Sequence, residues 1–245
     1  MTFRTVRVAD RWDVAMPAGR AGCCDWGTWE RCRFDSMAAN LKRGDVLFDV
    51  GAEQGEISAA YAQIVGGDAM VMMEPHPGLW ANIRATWEAN RLAAPAGFYV
   101  GLVGAGDVDA ESPDFDATPR DGWPECAHGD FWVWRSFRYI HEHSHSTPQT
   151  RLDSFAARAR LRPRALTIDV EGYELAVLQG AEGLLDADRP LVWVSIHPDL
   201  MEKHCGTTPA ELFEFMGRLG YSSRHLGTDH EEHWLFWDAS RETPQ

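Results

Sequence analysis

The 245-residue chain is short of positive charge, of paired cysteines and of long apolar runs. Its 23 Lys and Arg face 37 Asp and Glu, a formal net charge of −14. A surface so poor in cations does not support broad, salt-dependent binding to nucleic-acid phosphates, so no non-specific nucleic-acid binding is expected. The longest apolar stretches, residues 69–73 and 191–194, fall far short of a bilayer span. No membrane partner is expected. Arg4, Arg7, Asp10, Arg11 and Asp13 interrupt any apolar core of a secretion signal. The five cysteines (Cys23, Cys24, Cys32, Cys126, Cys205) are odd in number and contain no C-x-x-C pair. That argues against a zinc ribbon or a complete disulfide framework. Reduced thiols in a cytoplasmic setting are the plain expectation. The chain also lacks a G-x-x-x-x-G-K-[ST] run, which excludes a P-loop.

What the sequence does contain is an alternation of short apolar runs and helical patterns. Residues 46–50 form a β-type run, followed by a helix with Ile57, Ala60, Tyr61 and Ile64 on one face. Residues 69–73 are a second strand, closed by Glu74-Pro75-His76-Pro77, and a helix over about 78–90 follows. A third strand is expected at 97–103, a fourth at 165–170 with a helix at 173–185, and a fifth at 191–196 with a helix at 209–219. Residues 221–226 and 233–237 flank Gly227-Thr228-Asp229 and read as a terminal antiparallel hairpin. Strands separated by helices give an α/β fold with a mainly parallel sheet and right-handed crossovers. Such sheets bind ligands beyond the carboxyl ends of their strands. The loops to weigh are therefore residues 49–55, 74–77, 103–106, 169–174 and 195–199.

The first of these loops, Asp49-Val50-Gly51-Ala52-Glu53-Gln54-Gly55, is a glycine-bearing strand-to-helix turn. Gly51 and Gly55 would let a ligand approach the backbone closely. Glu74 ends the second strand, where a carboxylate accepts both hydroxyls of a ribose. Together these point to an adenosine-type cofactor. A dinucleotide fingerprint starting at Gly51 would need glycine where Glu53 stands. Acids at Asp49 and Glu53 would repel a pyrophosphate, yet they suit S-adenosylmethionine, which carries an ammonium and a sulfonium. Charge favours the methyl donor over a nicotinamide dinucleotide.

Residues 47–58 (LFDVGAEQGEIS), 73–77 (MEPHP) and 166–181 (LTIDVEGYELAVLQGA) resemble the FkbM-type S-adenosylmethionine-dependent methyltransferases, as does Thr150-Arg151-Leu152-Asp153-Ser154. The resemblance implies a class I methyltransferase, Rossmann-like fold: a mostly parallel seven-stranded sheet flanked by helices. It also implies O-methylation of a hydroxyl on a sugar, a glycan or a natural product. By the same resemblance, Asp49, Gly51 and Gly55 hold the methionine part of the cofactor, Glu74 the ribose, and Pro75 and His76 the adenine side. Ala52, Glu53, Gln54 and Asp169 are expected at the cofactor too, although Glu53-Gln54 stands where the family often has Asn and a small apolar residue. Asp169 and Glu171 border the methyl group and the acceptor. Ser195 stands where many members have Glu. The division expected is an accessory or lid segment at 1–43, the methyltransferase domain at 44–238 with an insertion at about 105–150, and a tail at 239–245.

A sugar hydroxyl is a weak nucleophile, so a base or a metal is wanted beside it. His197, past the fifth strand, is the expected base, with Asp169 to orient it. In the metal variant Asp169, Glu171 and His197 ligate a divalent ion such as Mg²⁺. The insertion carries His141, His143 and His145, read as a polar loop over the acceptor cleft. It also carries Phe131, Trp132, Trp134, Phe137 and Tyr139, read as a small core or a surface for a homodimer partner, and Trp123 as an aromatic acceptor platform. Trp29 and Glu30 either close over the cofactor or begin a helix that packs on the sheet. Two rivals remain: a nicotinamide-dependent oxidoreductase on the same fold, and a methyltransferase-like module that binds without catalysis.

Overall fold

A computed structural model describes residues 2–108, 115–116, 123–126 and 147–245. The expected insertion histidines, together with Phe131, Trp132, Trp134, Phe137 and Tyr139, lie outside the described residues.

A seven-stranded sheet organises the chain. Its inner strands β3 (Leu47–Val50), β4 (Met70–Met73), β10 (Ala165–Ile168) and β11 (Leu191–Ile196) are buried at every residue. That is the pattern of parallel strands covered on both faces. With β5 (Gly97–Tyr99), β12 (Tyr221–Thr228) and β13 (Glu232–Asp238), the order is β12-β13-β11-β10-β3-β4-β5. All strand pairs from β5 to β11 are parallel, whereas β13 runs antiparallel to both β11 and β12. The terminal hairpin thus inserts its second strand beside β11 and leaves its first on the edge.

Alternate side chains of each strand feed opposite cores. Leu47, Met70, Met72 and Trp193 pack under α1 (Arg31–Asn40), α2 (Glu56–Val65) and α3 (Trp80–Ala89). Phe48, Val71, Ile168 and Val194 face α4 (Leu152–Ala159), α5 (Glu174–Gln179), α6 (Glu182–Ala187) and α7 (Pro209–Arg218). The chain leaves β3 toward β4 on one side and returns to β10 on the other. The carboxyl ends of β3 and β10 therefore flank the topological switch, where open α/β sheets hold ligands.

Three local expectations change. The strand at 97–103 breaks at Gly101, where a side chain would strike the Pro148 carbonyl at 2.6 Å. Its second half, β6 (Leu102–Val103), pairs instead with β9 (Gln149–Thr150) outside the main sheet. The loop at 103–106 therefore does not follow a strand of the main sheet. The helix at 173–185 divides at Gly180, which touches the Gly104 carbonyl so closely that a Cβ would sit 2.1 Å from it. Finally, β1 (Phe3–Val8) and β2 (Trp12–Pro17) form an unexpected hairpin that packs on α2 and α3. Its turn places Ala9 and Asp10 at φ +48° and +54°, the geometry that glycine or asparagine usually signals. With Ala-Asp there, the sequence carries no hairpin signature. Among the described residues, no helix is long and apolar enough to cross a membrane.

Candidate active site

The loop after β3 is locked to its neighbours by glycine. Gly51 has φ +98°, and a Cβ there would lie 1.8 Å from the Asp169 carbonyl oxygen. Its N–H donates to the Met73 carbonyl at 2.9 Å. Gly55 is at φ +80°, and a Cβ there would lie 3.1 Å from Ile83 of α3. The close approaches expected of a ligand at these two glycines are made by the protein itself. They bring the ends of β3, β4 and β10 into contact.

Acidic groups line this end. Asp49 is buried and accepts a hydrogen bond from the Ser58 hydroxyl at 2.5 Å. Burial raises its pKa to about 6, although the Ser58 bond works the other way. Glu74 accepts the backbone N–H of Glu53 at 3.0 Å and that of His76 at 2.9 Å, one on each oxygen. Each oxygen keeps a lone pair, so the carboxylate can still take two ribose hydroxyls. His76 is buried, and its Nδ1 accepts from Gly78 at 3.1 Å. Pro75 is half-buried, while Ala52 and Gln54 are buried. Glu53 is not the bare anion the sequence suggested. Arg20, from the segment before α1, reaches it at 3.0 Å and also pairs with buried Glu56. The repulsion of a diphosphate by the acids at Asp49 and Glu53 is correspondingly weaker than their bare charges imply.

Burial lifts the Glu74 pKa from 4.5 to about 8, with Glu53 and Asp49 adding to the rise and the two backbone N–H bonds opposing it. Between those values the folded protein holds a proton that the unfolded chain has released. The stability Glu74 contributes is therefore complete below pH 4.5 and is lost as pH rises through 8. Glu74→Gln cannot titrate. The wild-type melting temperature should fall more steeply than the variant's between pH 5 and 8.5, read by calorimetry. Parallel curves would mean that Glu74 carries no such proton.

The acceptor side gathers residues from four places in the chain. Asp169 and Glu171 follow β10, with side chains 26% and 55% exposed, so both reach the cleft. Glu171 sits at φ +54°, and Gly172 after it approaches Leu200 so closely that a Cβ would lie 2.6 Å from its carbonyl carbon. Arg33 of α1 is buried and contacts Asp169 at 3.5 Å, the Ser195 hydroxyl at 2.8 Å, and Glu30. Ser195, where a carboxylate was expected of the family, thus bonds an arginine, while Glu231 enters the cleft from the hairpin turn.

His197 requires a correction. Its Nδ1 donates to Glu174 Oε1 at 2.7 Å, and its Nε2 pairs with Glu231. Burial opposes its charge, but the bonds to Glu174 and Glu231 and the nearness of Asp169 hold its pKa up at about 11. With each nitrogen paired to a carboxylate, His197 is set to keep its proton, which does not suit the general-base role expected of it. Burial and the Glu231 charge raise Asp169 well above the usual carboxylate range, against Arg33 and His197. Burial raises Glu171 in the same direction. One donor atom from each of Asp169, Glu171 and His197 lies within 4.8 Å of the others, so the expected metal triad is brought together. Its imidazole, however, is already bound to Glu174 and Glu231.

Arg33, Glu174, Asp229, His230 and Glu231 were not foreseen at this site, although Glu174 lies within the IDVEGYE stretch, and Glu30 was foreseen only as a lid or helix residue. The run Asp229-His230-Glu231-Glu232-His233 is a dense ligand-type signal that reads, by spacing, as a hairpin turn only. Trp29 stacks on His230 at 3.7 Å, so it covers the hairpin turn. Trp123 is buried against Trp87 and Phe98, with ring centroids 6.5 and 4.6 Å away. It belongs to the sheet-covering core and is not an acceptor platform.

The structure resembles methyltransferase FkbM from Methylobacillus flagellatus KT, with a TM-score of 0.51 and 13% identity over 84% of this chain and 51% of that one. This chain spans about half the length of that protein. It is also similar to M. jannaschii TYW2, solved in complex with AdoMet (TM-score 0.48, 11% identity, 92% and 80% covered). A third similar structure is the precorrin-6y C5,15-methyltransferase from Geobacter metallireducens GS-15 (TM-score 0.46, 12% identity, 85% and 85% covered). No curated protein matches the chain. The strand order and helix layers are those of a class I methyltransferase. Residues 49–223, which run from the β3 loop through the acid pair after β10 to the edge strand, match the methyltransferase FkbM domain, and the chain belongs to that family.

Proposed function

We propose that this protein transfers a methyl group from S-adenosylmethionine to a hydroxyl of a sugar, a glycan or a small natural product. The observation that carries the reading is the contact between Gly51 and the Asp169 carbonyl. It sets the donor loop directly against the acids that face the acceptor.

The residues present fit the cofactor. Glu74 offers spare lone pairs at the end of β4, and Asp49, Glu53 and Glu74, all raised toward neutrality, regain charge readily beside a cation. When bound, S-adenosylmethionine supplies a methyl group already activated by its sulfonium. The protein's share is placement and proton removal. Glu74 fixes the ribose hydroxyls, and the loop around Gly51 sets the donor at the switch point. Asp169 accepts the acceptor's proton, since its raised pKa makes it a better base than an ordinary carboxylate. Glu171, more exposed, orients the same hydroxyl. His197 holds Glu174 and Glu231 in place and keeps its own proton. Aligning the acceptor oxygen about 3 Å from the methyl supplies much of the rate.

Calorimetry with S-adenosylhomocysteine tests the cofactor half. Wild type should bind, and Glu74→Ala should bind at least about tenfold more weakly, as expected for loss of hydrogen bonds to a charged group. A protein stabilised by NAD(P) and indifferent to S-adenosylhomocysteine would sink the reading. Cofactor binding without methylation of any hydroxyl in a glycan and natural-product panel would favour a binding module.

A further inference from the structure

Methyl transfer leaves Glu30, His230 and one oxygen of Glu231 without a part. Glu30, just before α1, and Glu231, just before β13, converge on one wall of the cleft with His230 between them. His230 Nε2 lies 3.4 Å from Glu231 Oε1 and 4.0 Å from Glu30 Oε1. One donor atom from each of the three residues lies within 4.8 Å of the others. Both glutamate side chains are 4% exposed, whereas that of His230 is 36% exposed, which leaves a path in from solvent.

Separate features distinguish this group from a chance gathering of acids. Glu231 Oε1 is buried and takes no hydrogen bond among the described residues. A buried, unsatisfied carboxylate oxygen is costly unless positive charge meets it. Among the described residues, the fixed cations nearby are Arg33 and His197, whose ion pairs go to Glu30, Asp169, Glu171, Glu174 and the other oxygen of Glu231, while Glu231 Oε1 faces the imidazoles of His230 at 3.4 Å and His233 at 3.9 Å. His230 is also oriented. Its Nδ1 lies 2.8 Å from Asp229 Oδ1 as an ion-pair contact, and its ring stacks on Trp29. A carboxylate behind one imidazole nitrogen, with the other aimed at acids, is the outer support of a metal-binding histidine. Asp229 is fixed in turn by the Glu30 N–H at 2.8 Å and by His233 Nε2 at 3.0 Å. Glu30 itself is held at φ +50°, with its oxygens bonded to Arg33 and to the Trp29 indole N–H at 3.0 Å. Strained backbone of this kind gathers at ligand sites.

We propose that Glu30 Oε1, Glu231 Oε1 and His230 Nε2 bind one divalent first-row cation, with Asp229 positioning the imidazole. Two carboxylates and one imidazole suit Mn²⁺ or Zn²⁺. Three protein ligands leave coordination positions for water or an acceptor oxygen. Ligands about 2.0–2.2 Å from a common ion stand about 3.0–3.6 Å apart, so the Glu231–His230 pair is already spaced for it and the Glu30–His230 pair must close by about half an ångström. The site shares no ligand with the Asp169, Glu171 and His197 triad, although the other oxygen of Glu231 pairs with His197.

Titration of Mn²⁺ into chelator-treated protein tests this, by calorimetry with the electron paramagnetic resonance of free Mn²⁺ as a second count, and with Zn²⁺ in a parallel titration. Neither cofactor nor acceptor is added, so failure of the methyl-transfer reading would not affect the result. Wild type should bind one ion. His230→Phe, which keeps the stack on Trp29 but has no donor nitrogen, should weaken binding at least tenfold, and Glu231→Gln likewise. Glu171→Gln, on the neighbouring triad, should change it less than threefold. Melting curves establish that each variant is folded, and should His230→Phe fail to fold, Glu231→Gln decides. The proposal is overturned if wild type binds neither metal, if binding survives in folded His230→Phe or Glu231→Gln protein, or if Glu171→Gln abolishes it.

Discussion

Asp169→Asn should lower kcat for methyl transfer by roughly two to four orders of magnitude, the range for loss of a positioned base. The affinity for S-adenosylhomocysteine should stay within about threefold. Asparagine keeps the volume and polarity of the side chain but cannot accept a proton. Asp169 is suited to that task because burial and Glu231 raise its pKa against the pull of Arg33 and His197. The variant should also lose the rising limb of the pH–rate profile that ionisation of this carboxyl produces. The measurement is single-turnover transfer to whichever hydroxyl acceptor in the panel gains a methyl group. A fold defect is not the expected cause of the loss, because the substitution removes one of several crowded carboxylates and should not lower the melting temperature. A kcat within threefold of wild type, with cofactor affinity intact, would move the base elsewhere, first to Glu171.

Gly51→Ala should lower the melting temperature by about 10 °C or more, or leave no soluble folded protein. Two penalties coincide at this residue. The backbone, at φ +98°, is one that side-chain-bearing residues rarely adopt, and the new Cβ would sit 1.8 Å from the Asp169 carbonyl oxygen. The obstacle is backbone, held by the parallel register that pairs Val50 with Ile168. It cannot swing aside as a flexible side chain would. Gly44→Ala is the internal control, since Gly44 has a comparable φ of +90° with nothing within 4 Å of its would-be Cβ. That variant should lose only the conformational part, about 1 kcal/mol or somewhat more, which is a few degrees for a chain of this size. Equal melting temperatures for the two variants would mean that β3 and β10 do not meet at Gly51.

The sheet was legible where a strand is buried on both faces. β3, β4, β10 and β11 are unbroken apolar runs, and such runs announce themselves. What escaped depends on contacts distant in sequence. Gly101 and Gly180 break their elements because other segments press against them, and the turn at Ala9 and Asp10 adopts a glycine-type conformation without glycine. The active-site residues divide in the same way. The positions of Glu74, Asp169 and Glu171 at the carboxyl ends of β4 and β10 were legible because each follows an apolar run that forms a strand. The ion pairing of Glu53 with Arg20, and the burial of Trp123 against Trp87 and Phe98, were not.

The sequence alone determined the alternation of strands and helices, the loops that form the cleft and its acidic character, since these follow from local periodicity and from residue type at strand ends. Only the tertiary structure decided what those groups do. Protonation and ligation depend on which charges lie within a few ångströms, and Glu30, Glu174, His197 and Glu231 meet across the fold. That meeting pairs both nitrogens of His197 with carboxylates, and it gives the hairpin turn a cluster of donors that no spacing in the chain foretells.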